Sequence, residues 1–147
     1  KLTQEIKARY CFESEIVRIP NTEAFLEVPE KIIGFVYKIT NLQSGREYIG
    51  KKLFTSAKRK QVKGKSKRYR VESDWREYYG SNKELANDVV TCGRDAFRRD
   101  ILRLCTTRGQ CSYFEAKLQF EHGVLENPTK FYNDWIMCKI HRKHLKL

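Results

Sequence analysis

From residue 33 the chain alternates: Ile33, Phe35, Tyr37 and Ile39 are each followed by a smaller or polar neighbour. A period of two puts all four on one face of an extended strand. Such a face is buried only against another layer, so the fold must be built around a sheet. Asn41-Leu42-Gln43-Ser44-Gly45-Arg46 is rich in turn formers, and Glu47-Tyr48-Ile49-Gly50 reads as a returning strand. The two form an antiparallel pair joined by a loop of about six residues.

Downstream, Ser73–Gly80 looks like a helical turn ending at glycine. Ser81-Asn82-Lys83-Glu84 has capping-box form and opens a helix in which Leu85, Val89 and Val90 recur until Gly93 stops it. Phe97 to Cys105 is predicted as a third strand, with Ile101, Leu102 and Leu104 in the core. Ser112-Tyr113-Phe114-Glu115 is a second capping box, opening a helix with Phe114, Leu118 and Leu125 on one stripe and ending at Asn127-Pro128. The order strand, strand, helix, strand, helix predicts an α/β (α+β) sandwich: a small three-stranded antiparallel or mixed sheet flanked by helices. Residues 1–32 read as an N-terminal arm. In it Leu2, Ile6 and Tyr10 have helical spacing, and Pro20 and Pro29 break the later residues into short extended pieces. The domain itself spans 33–147.

Charge decides the partner. The 147 residues carry 30 Lys and Arg against 18 Asp and Glu, a net +12, and residues 51–70 hold ten of the cations with no acid among them. These are Lys51, Lys52, Lys58, Arg59, Lys60, Lys63, Lys65, Lys67, Arg68 and Arg70, in what reads as a long basic loop. Self-repulsion on that scale calls for a polyanion, and nucleic acid supplies one through its phosphates. A solvated loop with no partner is the plain alternative. Lipid is disfavoured, because Gly64 and the scarcity of apolar residues from 55 to 68 leave no amphipathic helix. No apolar run is long enough to span a bilayer, and no signal-peptide stretch opens the sequence, so a soluble, cytoplasmic protein is expected. Five cysteines at irregular spacing suit reduced thiols better than a disulfide framework. Cys138-x-x-His141-x-x-His144 has the wrong spacing for a structural zinc site.

Gly34-Phe35-Val36-Tyr37, then ten residues, then Tyr48-Ile49-Gly50, resembles the two-part signature of the GIY-YIG nucleases. Tyr79-Gly80-Ser81-Asn82-Lys83-Glu84-Leu85, Gly93-Arg94-Asp95-Ala96-Phe97 and Ile101-Leu102 are similar to the middle of phage-type members, the free-standing Seg-like homing endonucleases. Glu115 on a late helix and Asn133 after Tyr132 stand where that family keeps a metal-binding glutamate and an asparagine. The likeness runs over about residues 33–135.

The resemblance implies hydrolysis of DNA phosphodiester bonds with one divalent cation per site, Mg²⁺ or Mn²⁺, in a phage-encoded homing-type enzyme acting in the host-cell cytoplasm. It implies that Glu115 binds the metal and that Tyr37 and Tyr48 hold the attacking water. Tyr37 is then a candidate general base, whose pKa neighbouring cations such as Lys51 and Lys52 would have to lower. The phosphate-clamping arginine is Arg59, with Arg76 as its rival, and Tyr78 or Tyr79 takes the place of a family histidine. Lys83, Ser81 and Tyr79 join the basic residues as nucleic-acid contacts, and Tyr69, Trp75, Tyr78 and Tyr79 are candidates for stacking on bases, with Trp75 read first as a core residue. Each has a plainer reading: Tyr37 and Tyr48 as sheet aromatics, Glu115 as the capping-box acid, Asn133 as a turn residue, both arginines as simple phosphate contacts. An inactive nucleic-acid-binding module on the same fold is the alternative function, with an RNA-binding protein behind it. No separate DNA-binding domain is visible, so recognition must come from the basic loop, the arm, a homodimer or a targeting partner.

Overall fold

The computed structural model of the chain describes residues 11–12 and 32–145. Strands β1 (Cys11–Phe12), β2 (Gly34–Asn41), β3 (Glu47–Leu53), β4 (Thr55–Val62) and β5 (Lys65–Glu72) precede helix α1 (Lys83–Cys92), and β6 (Phe97–Cys105) precedes helix α2 (Arg108–Glu121). One sheet has the order β1-β6-β2-β3; β4 and β5 form a sheet of their own. β2 runs antiparallel to both neighbours, whereas β1 is parallel to β6, so the main sheet is mixed and gains a fourth strand from the N-terminal arm. The helical spacing expected at Leu2, Ile6 and Tyr10 lies outside the described residues.

β2 is central and buried on both faces. Phe35, Tyr37 and Ile39 face Trp75, Leu85 and Ile101, while Val36 faces the other way, toward Cys105, Cys111 and Phe114 under α2. The alternation therefore sorts the side chains between two half-cores. A register shift against β6 falls between Val36 and Tyr37, which is a bulge. Bulges of this kind re-aim the side chains beside them.

Two glycines permit close approaches. A Cβ on Gly34 would lie 2.7 Å from the Lys52 carbonyl oxygen, and one on Gly50 would lie 2.5 Å from the Tyr37 hydroxyl across the β2–β3 ladder.

Several elements differ from the sequence expectation. The basic run is an antiparallel ribbon, not a loop. Lys63 and Gly64 both have positive φ, 50° and 76°, which is the geometry of a two-residue type I′ hairpin turn. Because nearly every ribbon residue is exposed, no apolar alternation announces these strands. Ser73–Gly80 forms only a turn, with Trp75 plugging the core against Phe35 and Phe54. The cap of α1 is Asn82, which accepts from the Leu85 N–H, while Glu84 pairs with Arg46. α2 starts at Arg108, capped by Thr107, so Ser112 is not its cap and Glu115 sits mid-helix. That helix stops at Glu121, ahead of Asn127-Pro128, and both Leu125 and Val90 are exposed instead of packed. The thiols of Cys105 and Cys111 are buried, and Cys138 is exposed. Among the described residues, no helix is long and apolar enough to cross a membrane.

Candidate active site

Strand β3, helix α2, the start of α1 and the extended segment after Phe131 converge on one cleft of about 380 Å³. Tyr48 and Lys51 reach it from β3, Glu115 and Gln119 from α2, Ser81, Asn82 and Lys83 from the α1 cap, and Asn133, Asp134, Trp135 and Met137 from the late segment. Residues 48, 115 and 133 thus meet only through the fold. On α2, Ser112, Glu115 and Gln119 recur at the i, i+3, i+7 spacing of one helix face, the face packed on β3.

Asn133 holds the backbone of β3. Its Nδ2 donates to the Ile49 carbonyl at 2.8 Å, and its Oδ1 accepts from the Ile49 N–H at 3.1 Å. Gln119 Nε2 donates to the same carbonyl at 2.9 Å. Ile49 lies between Tyr48 and Gly50, so these bonds set where Tyr48 points. Asn133 is buried and its amide is committed to Ile49, which replaces the turn-residue reading with a structural lock. The segment carrying it is tied down as well. Tyr132 N–H donates to the Glu47 carbonyl at 2.8 Å, and Asn82 Nδ2 donates to the Tyr132 carbonyl and to Asp134.

Tyr48 lines the cleft, and two further tyrosines pack behind it. The Tyr48 hydroxyl is 3.0 Å from Ser81 Oγ. Behind it, the fully buried Tyr37 ring lies 6.3 Å from Tyr48 and 6.0 Å, edge-on, from Tyr78. Burial pushes the Tyr37 phenol well above its ordinary pKa, reinforced by Tyr78, Tyr48 and Glu115. Burial also raises Tyr48, against the pull of its Ser81 hydrogen bond. The lowering expected from Lys51 and Lys52 is therefore reversed. Lys51 Nζ donates to Ser112 Oγ at 2.6 Å and lies 4.0 Å from Glu115; Lys52 pairs with Asp74 at 2.6 Å and sits 3.8 Å over the Tyr78 ring. Both cations are engaged by other partners, and desolvation dominates at Tyr37.

Burial raises the Glu115 carboxyl too, with Lys51 pulling it back down. One turn further along, Gln119 Oε1 is buried without a hydrogen-bond partner. Among the described residues no group of three or more His, Cys, Asp or Glu is placed to hold a metal ion. A single carboxylate with an unused amide oxygen beside it fits a hard cation that takes oxygen ligands and keeps much of its water, and does not fit a closed protein cage.

A second cleft, of about 430 Å³, shares Lys51 and is lined by Lys52, Tyr78, Arg108 and the ribbon residues Arg68 and Arg70. Neither predicted clamp lines either cleft. Arg76 donates to Glu72 at 2.7 Å and lies 4.6 Å over Trp75, and Arg59 sits further out on the ribbon, opposite Arg68. Of the predicted nucleic-acid contacts, Lys58, Lys60, Lys63, Lys65 and Lys67 are exposed on the ribbon, and Lys83 is exposed at the rim of the first cleft. Tyr79 is half-buried with Arg99 over its ring at 4.2 Å, and Arg99 in turn holds the Arg76 and Tyr78 carbonyls. Trp75 is wholly buried. Tyr78, packed edge-on against Tyr37, lines the second cleft. Sequence reasoning missed Gln119, Asn82 and Arg108. The i, i+4 spacing from Glu115 marks Gln119 once the helix is known to start at Arg108, whereas nothing local marks the other two.

The family model described as "Putative endonuclease segE, GIY-YIG domain" matches residues 18–136, most of the chain. No curated protein and no solved structure matches it.

Proposed function

The chain belongs to the SegE-type GIY-YIG endonuclease family, and from that premise we propose that it is a metal-dependent nuclease that cuts duplex DNA in the Tyr48–Glu115 cleft. The observation that carries this reading is the convergence of Tyr48, Lys51, Glu115 and Asn133 on a single cleft. Glu115 would hold one Mg²⁺ or Mn²⁺, with Gln119 Oε1 next to it as an oxygen donor. Such an ion supplies charge neutralisation at the phosphate and acidifies bound water.

The chain's own groups do the rest. Lys51, steadied by Ser112, presents a cation to the scissile phosphate from beside the carboxylate. Tyr48 faces the cleft as a neutral phenol, and Ser81 fixes its hydroxyl, so it orients a water or a phosphate oxygen by hydrogen bonding. Tyr37 keeps its proton at neutral pH and serves as the buttress behind Tyr48; it is not a resting base. Asn133 acts through the Ile49 peptide as a positioning residue. Arg108 and Arg70 beside the second cleft take over the phosphate contacts expected of Arg59 and Arg76. A phage-encoded, homing-type origin belongs to the same proposal, supported by the likeness of residues 79–97 to free-standing Seg-like enzymes.

The test uses supercoiled plasmid with Mg²⁺, Mn²⁺ or EDTA, beside Glu115→Gln. Metal-dependent nicking or linearisation that disappears with the variant is the expected result. Cleavage that survives EDTA, or survives Glu115→Gln at more than about a tenth of the wild-type rate, overturns the assignment. Salt-sensitive binding with no cleavage of linear, supercoiled or branched DNA leaves an inactive binding module.

A further inference from the structure

The β4–β5 ribbon has two chemically different sides. Residues paired across an antiparallel ladder project to the same side, and successive pairs alternate. One side therefore carries the pairs Thr55–Glu72 at the root, Ala57–Arg70, Arg59–Arg68 and Gln61–Ser66; the other carries Ser56–Val71, Lys58–Tyr69, Lys60–Lys67 and Val62–Lys65. All three ribbon arginines share a side with the ribbon's one glutamine, and the four lysines of the strands share the opposite side.

A charge footprint alone does not require that segregation. Lysine is a point charge suited to phosphates, whereas arginine and glutamine are the side chains that pair bidentately with guanine and adenine edges. Arg70 is used at the root, donating to Thr55 Oγ1 and to the Thr55 carbonyl. Among the described residues, Arg59 and Arg68 have no hydrogen-bond or ion-pair partner. They stand directly opposite each other, an arrangement that weakens a free hairpin. The arginine side is also the side open to the second cleft, where Arg68 and Arg70 line the wall with Lys51. DNA held in the nuclease cleft would meet the ribbon there.

We propose that the ribbon enters the major groove of duplex DNA with Arg59, Arg68 and Gln61 turned to the base edges, the lysine side supplying attraction to the phosphate rims. The inference rests on DNA being the substrate. The major groove, about 12 Å wide, admits a two-stranded ribbon. Successive pairs on one side are about 7 Å apart, or about two base-pair steps, so the reading side covers roughly three to five base pairs. The deep, narrow major groove of an RNA duplex excludes the ribbon.

Full-length protein carrying Glu115→Gln is used to select binders from a randomised double-stranded DNA pool. Enrichment of a short motif is expected. Arg59→Lys with Arg68→Lys, which keeps every charge, should lower the preference for that motif about tenfold while leaving the salt dependence unchanged. Lys60→Gln with Lys67→Gln should do the reverse, keeping the motif and reducing the slope of log affinity against log salt by about two. Replacing the motif's guanines with 7-deazaguanine, which removes a major-groove acceptor, should weaken the parent about tenfold and the double-lysine variant hardly at all. Circular dichroism checks that each variant is folded; the ribbon lies outside both half-cores, so wild-type spectra are expected. An unenriched pool, a motif unchanged by the arginine substitutions, or equal binding to the matching RNA duplex would overturn the proposal. Because the selection needs no cleavage, its failure is separable from failure of the nuclease: metal-dependent cutting without a motif sinks only the ribbon, and a motif without cutting sinks only the nuclease.

Discussion

Gly50→Ala tests the idea that the second half of the signature exists to make room for the first. Gly50 pairs with Tyr37 across the ladder, and an added Cβ would lie 2.5 Å from the Tyr37 hydroxyl oxygen, 2.8 Å from its Cζ and 3.0 Å from Tyr48 Cε1. The Tyr37 ring cannot swing away, because Phe35 at 6.1 Å, Tyr78 and Tyr48 surround it. Overpacking at a site that cannot relax costs about 2–3 kcal/mol, the upper part of the usual range. With a urea slope of about 1.5 kcal/mol/M, the unfolding midpoint should fall by between about 1 and 2 M. Gly45→Ala is the control: its φ of +76° strains any other residue, but the space around it is open, so about 1 kcal/mol is expected. Adding Tyr37→Phe removes the closest atom and should restore about 1 kcal/mol in a double-mutant cycle. Cleavage by Gly50→Ala should drop about a hundredfold, since the variant displaces Tyr48 from its place beside Ser81. A change in stability within about 0.5 kcal/mol, or strict additivity with Tyr37→Phe, would refute the close-packing argument.

Asn133→Ala should cost about 2–4 kcal/mol in urea unfolding, because it orphans the buried Ile49 N–H while the Ile49 carbonyl keeps Gln119; lost cleavage at unchanged stability would mean that Asn133 touches substrate instead. Lys51→Met removes the cation that pulls the Glu115 carboxyl down, so the acid limb of the kcat/KM profile should move to higher pH, and an unmoved limb would detach Glu115 from it. Tyr37 is raised in the fold, so its contribution to stability is complete below its unfolded pKa of about 10 and is lost as pH rises past that value. Tyr37→Phe should therefore flatten the alkaline fall in unfolding free energy measured between pH 9 and 11, roughly the range where free tyrosine titrates.

The main sheet was legible because its strands carry a burial pattern. Phe35, Tyr37 and Ile39 alternate since one face of β2 packs under Trp75 and Leu85, and β6 shows Ile101 for the same reason. The ribbon was illegible to the same test, because strands exposed on both faces have no apolar period to read. Its only local mark was Lys63-Gly64, a weaker form of the Asn-Gly hairpin signal, embedded in a charge run that reads equally well as loop. The start of α2 was misplaced for a different reason. Thr107 and Gln110 cap it through a threonine and a glutamine, and the Ser112–Glu115 spacing imitated the same box one turn too late.

At the site, legibility depended on whether a residue does chemistry or shapes the residues that do. Tyr48 and Glu115 stand out in the sequence by the chemistry of their side chains, and the fold brings both to one cleft. The Ile49 contact of Asn133 was not legible, because its partner is a backbone peptide 84 residues away and no sequence distance reveals which peptide that is. The pKa of Tyr37 was misjudged on the same ground. Lys51 and Lys52 are near the signature in sequence, yet strand geometry turns one toward Ser112 and the other toward Asp74. What surrounds Tyr37 instead is Phe35, Tyr48 and Tyr78, a low-dielectric layer that favours the neutral phenol. A tyrosine so placed keeps its proton across the whole neutral range, and on the proposed reading that constancy gives a site of one carboxylate and one lysine an unchanging packed wall behind Tyr48.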